Sequence, residues 1–440
     1  MFRRILIANR GEVAARIIKT CRSMGIETVA VYSKSDADLS YLQNADFQVE
    51  IGGVRSYLDM DAILHAAKSH QCAAIHPGWG FLSENPTFAA RTEALGITFV
   101  GPSSYSMRLM SDKAQARRTM KALGLSPIPG HDQPILSVSD ALSVAQQIGY
   151  PVLLKAIAGG GGRGMRKVFA PEELASAFQE ASAEARSAFG NGDMYMEHLI
   201  QGGRHIEFQV LADGISAKVL GARECSIQRR HQKLLEETPS AVVLPAQVEE
   251  LSAVIERVCV ALKYRGAGTI EMLRDISGKI YFMEMNTRLQ VEHTVTEETW
   301  GIDLVEQQLR IAANQPLNLS TEPSGHSIQC RINAEDVDNG FRPVPGKITK
   351  LRWPTMNGVR IDTHLSEGDK VSPHYDSMIA KVIVWAPTRA EAIAKMDDVL
   401  AQTIIEGVPT TIAVHRKILA KKTFIDGQYD TRFLETGVLQ

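Results

Sequence analysis

Cysteine is scarce in this chain: five residues, at 21, 72, 225, 259 and 330, are spread over 440 positions and form no C-x-x-C. An odd number at such spacing points away from a disulfide framework and from a zinc site, and makes a reducing cytoplasm the expected compartment. Long apolar runs are missing as well. No stretch reaches the roughly 18 residues of a membrane-spanning helix. The N-terminal MFRRILIANRGEVAAR has an apolar core of four residues before charge resumes, too short for a signal peptide. A soluble protein without a membrane partner is the expectation. Neither sign of charge is in excess: 48 Lys and Arg face 50 Asp and Glu, which leaves no broad electrostatic footprint for nucleic acid or an anionic membrane. Any phosphate site must then be local. No low-complexity tail, heptad repeat or internal duplication stands out. The remaining composition is ordinary, 44% hydrophobic and 22% charged, and the length predicts roughly two to four domains.

Two phosphate fingerprints are also absent. RRILIANRGEVAARIIKTCRSMGIETVAVYS reads as strand, helix, strand, with Gly25 ending the helix, but its first turn holds only Gly11. Without G-x-G-x-x-G this unit argues against a nicotinamide cofactor. Asn85 and Pro86 supply an N-cap and first helical residue for a helix running to about Gly96, and ITFVG is the next strand. The first 100 or so residues therefore predict an open α/β domain. A helical segment near 111–127 is followed by the boundary-like SPIPGHDQP. Residues 128–199 hold strand, glycine run, strand and an alanine-rich helix, enough for a small subdomain. From 204 onward, HIEFQVLAD, AKVLGARE, GTIEML and KIYFMEMN alternate with helices, which predicts an α+β body.

In YPVLLKAIAGGGGRGMRKVF, four glycines (159–162) stand between two strands and Gly164 follows. Lacking Cβ atoms, such a loop can turn N–H groups toward an anion, but no GK[ST] follows, so it is not a Walker loop. It suits a hairpin closing over nucleotide phosphates, with Lys155 as a point charge, and it equally suits a mobile linker. Lys113 and Lys233, the latter in the basic knot RRHQK, gain weight by association with it. Cys225 reads as a packed thiol, since no base is spaced to activate it.

FMEMNTRLQVEH (282–293) places Glu284, Asn286, Arg288, Gln290 and Glu292 at every second position. In an extended chain all five line one face. A strand with a solvated polar face would have the same period. The row would span roughly 26 Å at ~3.3 Å per residue, whereas paired catalytic magnesium ions lie about 4 Å apart, so one metal site cannot use all of it. Glu284 and Asn286 can share metal, with Glu271 of GTIEML as a third oxygen donor. Arg288, Gln290 and Glu292 are left for an acidic second substrate, the arginine orienting an anion and the carboxylate removing its proton.

HPGWGFLSENP (76–86), SDK (111–113), K-x-x-x-GGGGRGM, RHIEFQVLAD, ECSIQRRHQKLLEE, GAGTIEML, FMEMNTRLQVEH, CRINAED (330–336) and YDSMIAK (375–381) follow one another in this order. With them the chain resembles biotin carboxylases, the biotin carboxylase component of acyl-CoA carboxylases within the ATP-grasp superfamily, over essentially its whole length. The resemblance implies a fold that is α/β and α+β. It has an N-terminal open parallel-sheet, Rossmann-like domain (1–112), a helical connector (113–127), a small ATP-grasp lid with the glycine-rich loop (128–199), an ATP-grasp catalytic body (200–325) and a biotin carboxylase C-terminal domain (326–440).

The implied reaction is phosphorylation of bicarbonate by Mg–ATP to carboxyphosphate, then carboxylation of biotin at a ring nitrogen. Carried over by motif, Lys113, Lys155, Gly161, Gly162, Glu197, Ile200, His205, Gln228, His231 and Leu273 would hold ATP. Glu271, Glu284 and Asn286 would bind Mg²⁺ or Mn²⁺. Lys233, Arg288, Gln290, Val291 and Glu292 would surround bicarbonate, with Glu292 as its base. Arg331 would stabilise the biotin enolate by pairing a cation with developing oxyanion charge. Lys233, Arg288, Glu292 and Arg331 are the catalytic set so implied, and family members commonly dimerise.

The chain departs from the family pattern at His198, where Lys or Arg is frequent, at Thr294 for the usual proline, at 336–337 and 343–346, and at Thr431 near the adenine pocket. No A-M-K-M attachment sequence is present, AKM at 394–396 being the nearest. Biotin is therefore expected on a separate carboxyl carrier protein, with acyl transfer on carboxyltransferase subunits, those of acetyl-CoA carboxylase first. Two other readings stay open: a different ATP-grasp ligase, against which RRHQK and NTRLQVEH argue, and a nucleotide-binding module that has lost catalysis, against which Arg288, Glu292 and Arg331 together argue.

Overall fold

The computed structural model describes residues 1–131, 133–157, 164–230 and 232–435. Gly161, Gly162 and His231 lie outside the described residues.

Strands Phe47–Gly52, Glu27–Ser33, Arg4–Ile7, Ala74–His76 and Thr98–Phe99 lie side by side in that order, all parallel. A parallel sheet is covered on both faces, so its strands are apolar almost throughout. Ile5 and Ile7 enter one core while Leu6 between them enters the other. The helix Pro86–Ala94 starts where Asn-Pro predicts, the Asn85 side chain accepting from the Phe88 N–H at 2.9 Å. Helix Gly11–Ser23 opens on a glycine with φ +65°, and a Cβ there would lie 3.6 Å from the His364 ring. The first loop is thereby brought against the C-terminal part of the chain.

Helix Lys113–Ala122, capped by Asp112, leads to a small antiparallel sheet in which Val152–Ala156 pairs with Met165–Val168 and Met194–His198. Helices Val138–Ile148 and Pro171–Phe189 pack on this sheet around Leu154, Phe178 and Met194, a core of its own. The strands flanking the glycine run thus form the expected hairpin, with Lys155 opposite Met165.

The largest sheet is antiparallel, in the order Ile280–Asn286, Arg265–Arg274, Arg204–Asp213, Ala217–Arg229, Gln232–Thr238, His326–Asn333, Met378–Ala386, Val359–Thr363. It runs past residue 325 without a break, since Glu236 pairs with Gln329 and Arg331 with Lys381. Among the described residues no helix is long and apolar enough to cross a membrane.

One expectation is corrected here. The polar row of 282–293 is not a single extended face: the strand stops at Asn286, and Glu292, with φ −84° and ψ 9°, is the N-cap of helix His293–Trp300. The Thr269–Asn286 pair is the last of that ladder. Beyond it side chains take the backbone groups: Glu84 accepts from the Thr287 N–H at 2.9 Å, and Gln209 donates to the Gly268 carbonyl at 2.9 Å.

Candidate active site

A cleft of about 840 Å³ collects most of the predicted residues. Lys113 reaches it from the connector helix, and Lys155 and Glu197 from the small sheet. His205, Gln228, Lys233, Glu271, Glu284, Asn286 and Arg331 come from the large sheet, and Arg288, Gln290, Val291 and Glu292 from the loop after it. Ile200 and Leu273 fall outside the cleft lining and meet instead at Gly203, where a Cβ would lie 3.2 Å from Ile200 Cγ2 and 3.0 Å from Leu273 Cδ1.

Period-two alternation explains the placement. In Arg204–Asp213, Ile206, Phe208 and Val210 fill an apolar core, leaving His205, Glu207 and Gln209 on the opposite face. Register then lines up Glu284, Glu271, Glu207 and Arg223 across four neighbouring strands. Carboxylates directly opposite one another repel, and cations are set among them. Lys233 Nζ donates to Glu292 Oε1 at 2.7 Å and Glu271 Oε1 at 3.0 Å, and also to Glu207. His205 Nε2 lies 3.1 Å from Glu207 and 3.3 Å from Glu271, while its Nδ1 meets Gln228 at 2.8 Å. Burial alone would lower the His205 pKa, but Glu271 and Glu207 raise it to about 9. The two carboxylates thus favour the imidazolium form.

Glu292 is buried between two cations, accepting from Lys233 on Oε1 and from Arg331 Nη2 on Oε2 at 3.1 Å. Burial opposes its ionisation, yet Lys233, then Arg331 and Arg223, hold its carboxyl below the usual range. Arg331 is fixed from the other side by Glu236, which accepts from Nε at 2.7 Å. Arg288 donates to Glu84 at 2.8 Å and to Asn286 Oδ1 at 3.0 Å. Gln290 donates to Glu271 at 2.8 Å and accepts from Arg223 at 2.7 Å. At the end of the cleft formed by the small sheet, Lys155 pairs with Glu197. Cys225 is a packed thiol as expected, its pKa raised by burial and by Glu207.

Glu207, Arg223, Glu236 and Glu84 were not singled out by the sequence reading. A signal existed for Glu207: H-x-E-x-Q alternating with Ile, Phe and Val marks a buried polar face rather than a solvated one. Glu84 carried none, because its partners Thr287 and Arg288 stand more than 200 positions away. For a metal, Glu271 and Glu284, opposite one another on paired strands, and Asn286 on the second of them carry oxygen donors of the hard type magnesium takes, with Glu271 Oε1 accepting from Lys233 and Asn286 Oδ1 from Arg288.

Three family models match in succession: "Biotin carboxylase, N-terminal domain" over residues 1–107, "Carbamoyl-phosphate synthase L chain, ATP binding domain" over 112–320 and "Biotin carboxylase C-terminal domain" over 329–436. The biotin carboxylase of Nostoc sp. is 47% identical over 441 residues, covering 99% of each chain. The chain belongs to the biotin carboxylase family. It is an ATP-dependent ligase that performs the biotin carboxylation half-reaction. Two solved biotin carboxylases share its shape. The biotin carboxylase domain dimer of Hydrogenobacter thermophilus 2-oxoglutarate carboxylase, in complex with MgADP, ADP and bicarbonate, is 44% identical with a TM-score of 0.97, covering 100% of this chain and 99% of that one. The Campylobacter jejuni biotin carboxylase, in a β-γ-ATP complex, is 45% identical with a TM-score of 0.97, covering 99% of each.

His198, Thr431 and Thr294 have definite surroundings. His198 Nδ1 lies 3.3 Å from the Gly149 carbonyl. The Thr431 N–H donates to the Gly203 carbonyl at 3.0 Å, the same glycine that gathers Ile200 and Leu273. Thr294, fully buried at the start of the helix that follows Glu292, donates its hydroxyl to Gln329.

Proposed function

We propose that this chain carboxylates biotin borne on a separate carrier protein, through carboxyphosphate, as the first half-reaction of acetyl-CoA carboxylase. One observation supports the division of roles: Glu292 is a buried carboxyl group bridged by Lys233 and Arg331, both of which favour its ionised form. A bicarbonate held by Lys233, Arg288, Gln290 and the Val291 backbone would pass its proton to Glu292 while its oxygen attacks the γ-phosphorus and ADP leaves. Lys113 and Lys155 balance phosphate charge. Glu271, Glu284 and Asn286 would hold magnesium, which supplies further charge neutralisation at the phosphates. Arg331 then faces the ureido oxygen of biotin as negative charge develops on it. In this scheme Gly161, Gly162, Glu197, Ile200, His205, Gln228, His231 and Leu273 complete the nucleotide site.

The partners are a carboxyl carrier protein and carboxyltransferase subunits, the working form is a homodimer and the compartment is the cytoplasm. The Hydrogenobacter protein is a 2-oxoglutarate carboxylase domain dimer, which supports dimerisation and also favours a second reading, a 2-oxo acid as final acceptor. The test is reconstitution. Labelled bicarbonate, Mg–ATP and free biotin should give carboxybiotin slowly. The carrier and transferase that co-purify with the chain should pass label to acetyl-CoA. Label appearing only in 2-oxoglutarate or pyruvate would overturn the acetyl-CoA assignment, and ATP turnover indifferent to bicarbonate would overturn the whole scheme.

A further inference from the structure

Arg331 is held by more than its own ion pairs. Strand His326–Asn333 carries Gln329 two residues before Arg331, hence on the same face, and Gln329 is directly opposite Glu236 in the antiparallel ladder. The Gln329 amide donates from Nε2 to Glu236 Oε2 at 2.9 Å, and the other oxygen of Glu236 accepts from Arg331 Nε at 2.7 Å. The amide oxygen of Gln329 accepts from the hydroxyl of Thr294. Thr294, Gln329 and Glu236 are all buried, so none of these groups has water as an alternative partner.

The direction of each bond follows from its neighbour. Burial raises the pKa of Glu236, but the Arg331 guanidinium on its Oε1 favours the carboxylate, which can only accept, and Gln329 turns its N–H groups to it. The amide oxygen is then turned to Thr294, whose hydroxyl must donate. The helix bearing Thr294 also has Glu292 as its N-cap. Two links therefore join that helix to the Arg331 strand: the direct Arg331–Glu292 pair and the relay through Thr294, Gln329 and Glu236.

We propose that Thr294 and Gln329 are positioning residues that set the guanidinium of Arg331 for the biotin step. The proposal rests on the reading of Arg331 as the group that faces the biotin enolate. Loosening the relay leaves carboxyphosphate formation running while the enolate is met by a less well-placed cation. Phosphate is then released without carboxybiotin, and the two products come uncoupled.

The experiment follows phosphate release and labelled carboxybiotin together in purified Thr294→Val, Thr294→Ser, Gln329→Glu and Arg331→Ala proteins at saturating Mg–ATP and bicarbonate. Thr294→Val keeps shape but removes the donor. Carboxybiotin per phosphate should fall about three- to tenfold, the range spanned by one lost buried hydrogen bond. Thr294→Ser should restore the ratio. Gln329→Glu, which replaces the N–H donor by a second carboxyl group beside Glu236, should lower it at least as much. A variant that is merely less well folded loses both products in parallel and leaves the ratio unmoved. An unchanged ratio in both Thr294→Val and Gln329→Glu, with Arg331→Ala uncoupled, overturns the relay alone. Equal loss of both products in Arg331→Ala overturns the assignment of Arg331, and the relay with it.

Discussion

The two ends of the cleft are built differently. At the nucleotide end, Lys155 and Glu197 stand on a small sheet with its own core, joined to the large sheet through contacts such as Ser126 and Ile128 on either side of Phe282. At the acceptor end, Lys233, Glu207, Arg223 and Arg331 on strands of one large sheet interlock with Glu292 at the head of the following helix, and Lys233 also reaches Glu271 between the two ends. Phosphates of a nucleotide must enter and leave, and a separately packed layer permits the two sides to part. Proton removal and enolate stabilisation need fixed distances. The difference teaches that the two roles proposed for the cleft fall on parts with unequal side-chain freedom, the acceptor end having the less.

The largest expected effect tests the acceptor end directly. Glu292→Gln should lower bicarbonate-dependent ATP cleavage and biotin carboxylation together by about 10²–10⁴-fold, since it removes a positioned base. Arg331→Ala should lose carboxylation and keep measurable ATP cleavage. Parallel loss in both variants, seen with phosphate and carboxybiotin assays side by side, would break the proposed order of steps.

Next comes rigidity. Glu207→Gln leaves Lys233, His205 and Arg223 short of a buried counter-charge and should destabilise the fold by about 3–5 kcal/mol. Urea unfolding measures it. A loss no greater than that of Lys155→Gln at the nucleotide end would erase the contrast between the two ends.

A smaller effect sits between them. Glu271→Gln and Glu284→Gln should raise the Mg²⁺ concentration needed for half-maximal ATP cleavage, because each removes a charged oxygen donor while keeping shape. Unchanged Mg²⁺ titrations in both would remove these strands from the metal site.

The smallest is a pH effect on stability. His205 has its pKa raised from 6.5 to about 9, so its contribution to folding is complete below about pH 6.5 and is lost as the pH rises through about 9. Urea midpoints measured from pH 6.5 to pH 10 should fall for the parent and fall less for His205→Gln. Identical slopes would show that the Glu207–Glu271 cage does not hold the imidazolium.

Local chemistry is what the sequence alone determined. The helix start at Asn85–Pro86, the alternating cores around Ile5, Leu6 and Ile7, the hairpin flanking the glycine run and the motif order all rest on neighbours a few residues apart, or on spacing that a strand converts directly into a face. What only the tertiary structure decided is the polar row and its partners. FMEMNTRLQVEH has an unbroken period of two, yet the ladder ends at Asn286, and Glu84, some 200 residues earlier in the chain, takes the next N–H. Arg331 reaches Glu236 from 95 positions away and Lys233 reaches Glu292 from 59. No periodicity encodes such pairs. They form because burial leaves a carboxylate no water to turn to, so the cation that meets it is whichever one the sheet's register brings across.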